Sequence, residues 1–105
     1  MTISQGLGEN TMSKLRRALR VFFNTYYEND AGRAIEAIRE IVGDTRKIYV
    51  KRSSIVGELY YVEILLSDDV DKDSAEKMRE RIINTLKTLS DTIFGVKAYI
   101  SGFES

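Results

Sequence analysis

Apolar residues change period several times along residues 30–101. Ala34, Ile35, Ile38, Ile41 and Val42 recur at three- and four-residue spacing, which predicts an amphipathic helix with Arg33, Glu36, Arg39 and Glu40 on its wet side. Asp30 stands where a cap belongs, and Gly43 is placed to end the helix as a left-handed C′ residue. Residues 46–52 then alternate, with Ile48 and Val50 facing one way and Lys47, Tyr49 and Lys51 the other. Residues 59–66 alternate again, with Tyr60, Val62, Ile64 and Leu66 opposite Tyr61, Glu63 and Leu65. The short link 53–58 contains Gly57 and predicts a hairpin. A second helical stripe, Ala75, Met78, Ile82, Leu86 and Leu89, follows an Asp73–Glu76 spacing that reads as a capping box. A last strand, 96–101, turns Val96, Ala98 and Ile100 inward between Gly95 and Gly102.

Upstream, Leu15, Leu19, Phe22, Phe23 and Tyr26 lie three and four apart, which predicts an additional N-terminal helix over residues 12–29. Ser13 is its expected cap, and Arg16, Arg17 and Arg20 lie off the apolar face. Such a basic-aromatic helix suits a membrane surface or a nucleic acid, but ordinary packing on its own domain or on a twin explains it with less. Residues 1–11 are polar and glycine-containing and read as a flexible leader; residues 30–103 form the folded domain.

The order helix, strand, strand, helix, strand constrains the architecture. If the second and third strands are neighbours, the helix between them makes them parallel, while the hairpin pair is antiparallel. The expected fold is therefore an α+β, ferredoxin-like two-layer sandwich, α-β-β-α-β, with a three-stranded mixed sheet and the extra N-terminal helix. Helices cover one face of that sheet. Tyr49, Tyr61, Leu65 and Tyr99 fall on the other by alternation and are the expected interface of a homodimer.

Composition narrows the chemistry. The 105 residues include no His and no Cys, so the usual general base near neutral pH, the thiolate nucleophile and the soft metal ligands are all missing. No phosphate loop or nucleophile–base pair is present, and the chain is read as not an enzyme. Lys plus Arg and Asp plus Glu each number 16, so no overall charge draws it to nucleic acid. The absence of cysteine fits a reducing, cytoplasmic setting.

Segments 34–44 (AIEAIREIVGD), 47–54 (KIYVKRSS), 58–66 (ELYYVEILL), 71–86 (DKDSAEKMRERIINTL) and 95–102 (GVKAYISG) resemble the cytosolic C-terminal domain of cation diffusion facilitator transporters. The match lies in the Ile41-Val42-Gly43 step, the Lys51-Arg52 strand end, the Tyr60–Ile64 strand, the acidic 71–75 stretch and the final strand 96–100. The resemblance implies a dimerising regulatory domain at the cytosolic face of a membrane. Its partners would be a second copy and the transmembrane part of a zinc-type efflux transporter, a part this chain does not contain. Family members hold zinc through histidines and acids. Here the matching histidine positions carry Lys47, Leu65, Glu76 and Ile100.

A metal, zinc or a harder divalent ion, would have to rest on carboxylates, with Glu76, Asp69 and Asp73 as ligands and Asp68 and Asp71 close by. Such binding is expected to be weak, and a solvated loop with a helix cap explains the same acids. The paired Glu36 and Glu40 are likewise explained by Arg33 and Arg39. Two other functions fit the fold: a small-molecule-sensing regulatory module, and a nucleic-acid binder using Lys47, Tyr49, Lys51 and Tyr61. The neutral charge balance argues against the latter, so no nucleic acid is expected.

Overall fold

A computed structural model of the chain describes residues 17–43 and 46–103. Its elements are β1 (Ala18–Asn24), α1 (Glu28–Val42), β2 (Ile48–Arg52), β3 (Leu59–Leu65), α2 (Lys72–Leu89) and β4 (Phe94–Ser101). The sheet has four strands in the order β2-β3-β1-β4, and every neighbouring pair is antiparallel. Each crossover helix thus joins two strands that flank a third: α1 connects β1 to β2 across β3, and α2 connects β3 to β4 across β1.

This corrects the sequence reading in three respects. Ala18–Asn24 is a strand, not part of a helix. The sheet has four strands rather than three, and it is not mixed, because β1 inserts between the two strands expected to be parallel neighbours. The N-terminal boundary also moves, since residues 18–24 belong to the domain that was expected to begin at residue 30. Both periodicities exist in this stretch. Leu19, Val21 and Phe23 alternate and are fully buried, while Phe22, on the opposite face, and Tyr26, in the bend after the strand, fill helical spacings. The β-branched and aromatic run Val21-Phe22-Phe23 suits a pleated surface. Ser13, Leu15, Arg16 and the leader 1–11 lie outside the described residues.

The remaining elements follow the pattern closely. Ala31, Ala34, Ile38 and Val42 of α1 and Ala75, Ile82 and Leu86 of α2 pack with Leu19, Val21, Phe23, Tyr60, Val62, Ile64 and Ala98 into one core. Phe23 stacks on Tyr60, its register partner, with ring centroids 5.3 Å apart. The hairpin pairs Ile48 with Ile64 and Val50 with Val62. Arg17 ties the ends together: its guanidinium donates to the carbonyls of Asp68 (2.7 Å) and Val70 (2.6 Å) and lies over the Phe103 ring.

The helix caps differ from expectation. Asp71, not Asp73, caps α2 by accepting from the Ser74 N–H at 2.8 Å. Helix α1 begins after Tyr27, which makes no side-chain cap bond. Asp30 instead lies inside the first turn and reaches the other end of the chain. Its carboxylate accepts from the hydroxyls of Ser90 and Thr92 and from Arg33, and these bonds, Thr92 first, hold its pKa below the usual carboxylate value. Gly43 does stand at the end of α1 with positive φ, at φ 94° and ψ 152°. That ψ puts it outside the left-handed helical region and into one that essentially only glycine adopts.

Candidate functional site

The helices cover one face of the sheet and leave the other open. Cross-strand register assigns to that face Ala18, Arg20, Phe22 and Asn24 of β1, Tyr49 and Lys51 of β2, Leu59, Tyr61, Glu63 and Leu65 of β3, and Lys97, Tyr99 and Ser101 of β4; it is covered at the end where Ala18 and the Ser101 hydroxyl are buried. Alternation therefore places Tyr49, Tyr61, Leu65 and Tyr99 together on the surface predicted for them. Tyr49 and Tyr99 are 54% and 52% exposed. Phe22, which the helical reading hid, is the centre of the row. Its ring lies 4.9 Å from that of Tyr61 and 6.1 Å from that of Tyr99, the latter edge-on. Neighbouring strands thus present a row of aromatic rings in mutual contact, tilted by 40° at Phe22–Tyr61 and by 70° at Phe22–Tyr99.

Charge on this face is one-sided. Its strand positions carry three cations, Arg20, Lys51 and Lys97, and one anion, Glu63. Arg20 lies 3.8 Å from Glu63 and donates to the Tyr61 hydroxyl at 3.3 Å. Burial, followed by the Glu63 carboxylate, pushes the Tyr61 phenol up, so it stays neutral well above physiological pH. The chain's overall neutrality is therefore not uniform. The two helices balance one another, α1 being acidic and α2 basic, while Asp68, Asp69, Asp71 and Asp91 in connecting loops offset the sheet's cations.

At the β1–β4 side the strip deepens into a groove of about 410 Å³, lined by Phe22, Asn24, Leu59, Gly95, Lys97 and Tyr99. The pairing of β1 with β4 shifts register between Phe22 and Asn24, and Gly95 sits in that irregularity with φ 63°. A β-bulge of this kind re-aims side chains. Here the Asn24 amide is turned to donate to the Phe94 carbonyl at 3.3 Å.

The three carboxylates expected to ligate metal do not converge. Glu76 is paired with Arg79 at 2.9 Å. Asp69 accepts from the Ser67 hydroxyl, the main cause of its lowered pKa. Asp73 is exposed in the first turn of α2. Among the described residues no three His, Cys, Asp or Glu side chains form a group able to hold a metal ion, and this donor set does not fit zinc. On α1, Glu36 pairs loosely with Arg39 at 3.8 Å. The residues that sequence reasoning missed at the open face are Arg20, Phe22 and Asn24, whose signal was the Leu19-Val21-Phe23 alternation, and Lys97, which shares a face with Tyr99.

No family model and no curated protein matches this chain. Among solved structures, the de novo designed protein Foldit4 is similar with a TM-score of 0.63 at 22% identity, over 82% of this chain and 96% of that one. A protein of Thermus thermophilus described as PII-like and signalling gives a TM-score of 0.47 at 17% identity, over 83% of this chain and 85% of its own. Likeness to Foldit4 at this identity speaks for the path of the chain alone. Among the described residues no helix is long and apolar enough to cross a membrane.

Proposed function

We propose that this chain is a non-catalytic domain that binds single-stranded nucleic acid on the open face of its sheet. The observation that carries the reading is the Phe22–Tyr61–Tyr99 strip, set in a face whose charged positions are cationic but for one. Aromatic rings on neighbouring strands, Tyr99 exposed and Phe22 and Tyr61 partly buried, can stack unpaired bases, each worth about 1–3 kcal/mol, while nearby Lys and Arg meet the phosphates. Local field, not net charge, steers such a ligand. The lack of His and Cys supports a binding role over catalysis.

Fluorescence anisotropy with a labelled, mixed-sequence single-stranded RNA tests it. The affinity should fall with salt at a log–log slope of about −2, as three phosphate contacts on a single strand imply. Phe22→Ala and Tyr61→Ala should each weaken binding about tenfold or more. No binding even at low salt overturns the proposal.

A second reading is pairing of two copies through the same face, supported by the half-exposed Tyr49 and Tyr99. It is the form that a cation-efflux regulatory domain would take, and the resemblance of residues 34–102 is its only further support. Like charges at Arg20, Lys51 and Lys97 oppose a face-to-face twin more than they oppose a polyanion. Sedimentation equilibrium separates the two: a micromolar dimer dispersed by Tyr99→Lys favours pairing.

A further inference from the structure

We infer that the groove between β1 and β4 is a base-reading pocket in which Asn24 recognises a nucleobase carrying an exocyclic amine beside a ring-nitrogen acceptor, adenine foremost. The inference rests on the nucleic-acid reading above and adds to it a residue that discriminates between bases.

Asn24 differs from every other polar side chain on the face. Stacking rings and lysines accept any base and any phosphate, whereas an amide presents a donor beside an acceptor at fixed spacing. One amide N–H is engaged by the Phe94 carbonyl. No other hydrogen bond of the amide occurs among the described residues, so its Oδ1 and second N–H remain for a ligand. Adenine offers the complement, an amine hydrogen next to a ring nitrogen, and Asn is a bidentate partner for it.

The amide is also held in place, as a reading group must be. Gly95 lies against it so closely that a Cβ at that position would stand 2.5 Å from Asn24 Nδ2. The positive φ of Gly95 and the register shift in β4 together create this seat. Phe22 and Tyr99 wall the same groove, Leu59 adds an apolar side, and Lys97 supplies a cation. The groove thus gathers the elements by which proteins bind an unstacked base: aromatic surface, a polar group for its edge, and charge for its phosphate.

The test is anisotropy titration of the full chain with labelled oligo-A, oligo-C and oligo-U of equal length. Oligo-A should bind about tenfold more tightly than oligo-U, with oligo-C between them. Asn24→Ala should remove the preference while leaving oligo-U affinity within about twofold, since stacking and phosphate contacts remain. Gly95→Ala should reduce the preference by displacing the amide, and circular dichroism of both variants confirms folding. Equal affinity for the three oligonucleotides, or a preference that survives Asn24→Ala, overturns base reading while leaving the nucleic-acid proposal standing. Absence of binding by all three overturns both.

Discussion

The two faces of the sheet are written by alternate residues of the same strands, yet they follow different rules. Leu19, Val21 and Phe23 point into the core with no exposed surface. Between them, Arg20, Phe22 and Asn24 point out, and there an arginine, an aromatic ring and an amide replace the aliphatic code. The inner face is interchangeable in chemistry and strict in shape, as close packing demands. The outer face is permissive in shape and specific in chemistry. A strand exposed only to water needs neither Phe22 nor Tyr61, and the stabilisation that their cross-strand contact adds is modest. Under the proposed nucleic-acid function, these partly buried rings beside cations serve a ligand rather than the fold.

The sharpest way to break this comparison is to truncate the adjacent phenylalanines. Phe23→Ala on the inner face should lower stability by about 3–5 kcal/mol, because it empties a fully buried site. Phe22→Ala on the open face should lower it by about 1 kcal/mol or less, the value of a cross-strand aromatic pair, and should act on RNA affinity instead. Urea unfolding and anisotropy on both variants give the comparison directly. Equal losses of stability would mean that Phe22 serves the fold and that the two faces do not divide their work.

A smaller effect is expected where α1 hands the chain toward β2. Gly43→Val forces a β-branched residue to φ 94° and ψ 152°, a strain of about 1–3 kcal/mol. No atom outside the adjoining residues lies within 4 Å of the added Cβ, so the cost comes from the backbone alone. Gly43→Ala should therefore lose a comparable amount in urea unfolding, and RNA affinity should not change. A clear gap between the two variants would reveal a side-chain clash instead.

Much of this architecture is legible in the residues. The two helices, the hairpin and the last strand follow from periodicity to within a few positions, since their apolar and polar slots are cleanly separated. The failure at β1 has a physical cause. In a strand with one solvated face, polar residues at alternate positions announce the period of two. Phe22 occupies such a position, and with Leu15, Leu19, Phe23 and, beyond the strand, Tyr26 it completes a helical stripe. Aromatic residues on the outer face of a strand thus imitate a buried helix face. With β1 read as a helix, β3 and β4 become neighbours and the sheet loses a strand. The open face is reached through Tyr49, Tyr61, Leu65 and Tyr99, but its centre at Phe22 and its amide at Asn24 stay hidden. Net charge is equally blind to placement, because a sum over the chain cannot show that the cations of one face are offset by acids in distant loops.

Glu63 sharpens the charge side of the comparison. Its link to Arg20 is long, at 3.8 Å, and both side chains are partly solvated, so Glu63→Gln should change stability by about 0.5 kcal/mol or less. It also removes the one anion among the strand positions of the open face, and RNA affinity should rise, most clearly at low salt. A fall in affinity would assign Glu63 a direct contact with the ligand and would count against a purely phosphate-directed role for Arg20.

The smallest predicted effect belongs to the helical side and depends on pH. Asp30, Asp69 and Asp71 all have folded pKa values below that of an ordinary aspartate. The largest causes are, in turn, the Thr92 hydroxyl, the Ser67 hydroxyl and the Ser74 N–H. A carboxylate with a depressed folded pKa contributes stability that is complete above its unfolded value and is lost as pH falls through the folded one. Melting temperature should therefore hold from neutrality down to about pH 4–5 and then decline. Asp30→Asn should flatten part of that decline, since Asp30 joins the start of α1 to Ser90 and Thr92 just before β4. Thr92→Val should act in the same direction by removing the main cause of the shift. Neither variant should alter the salt dependence of RNA binding, because Asp30 belongs to the helical layer and not to the open face. A change in that dependence would mean that the two faces communicate through β4 and do not act independently.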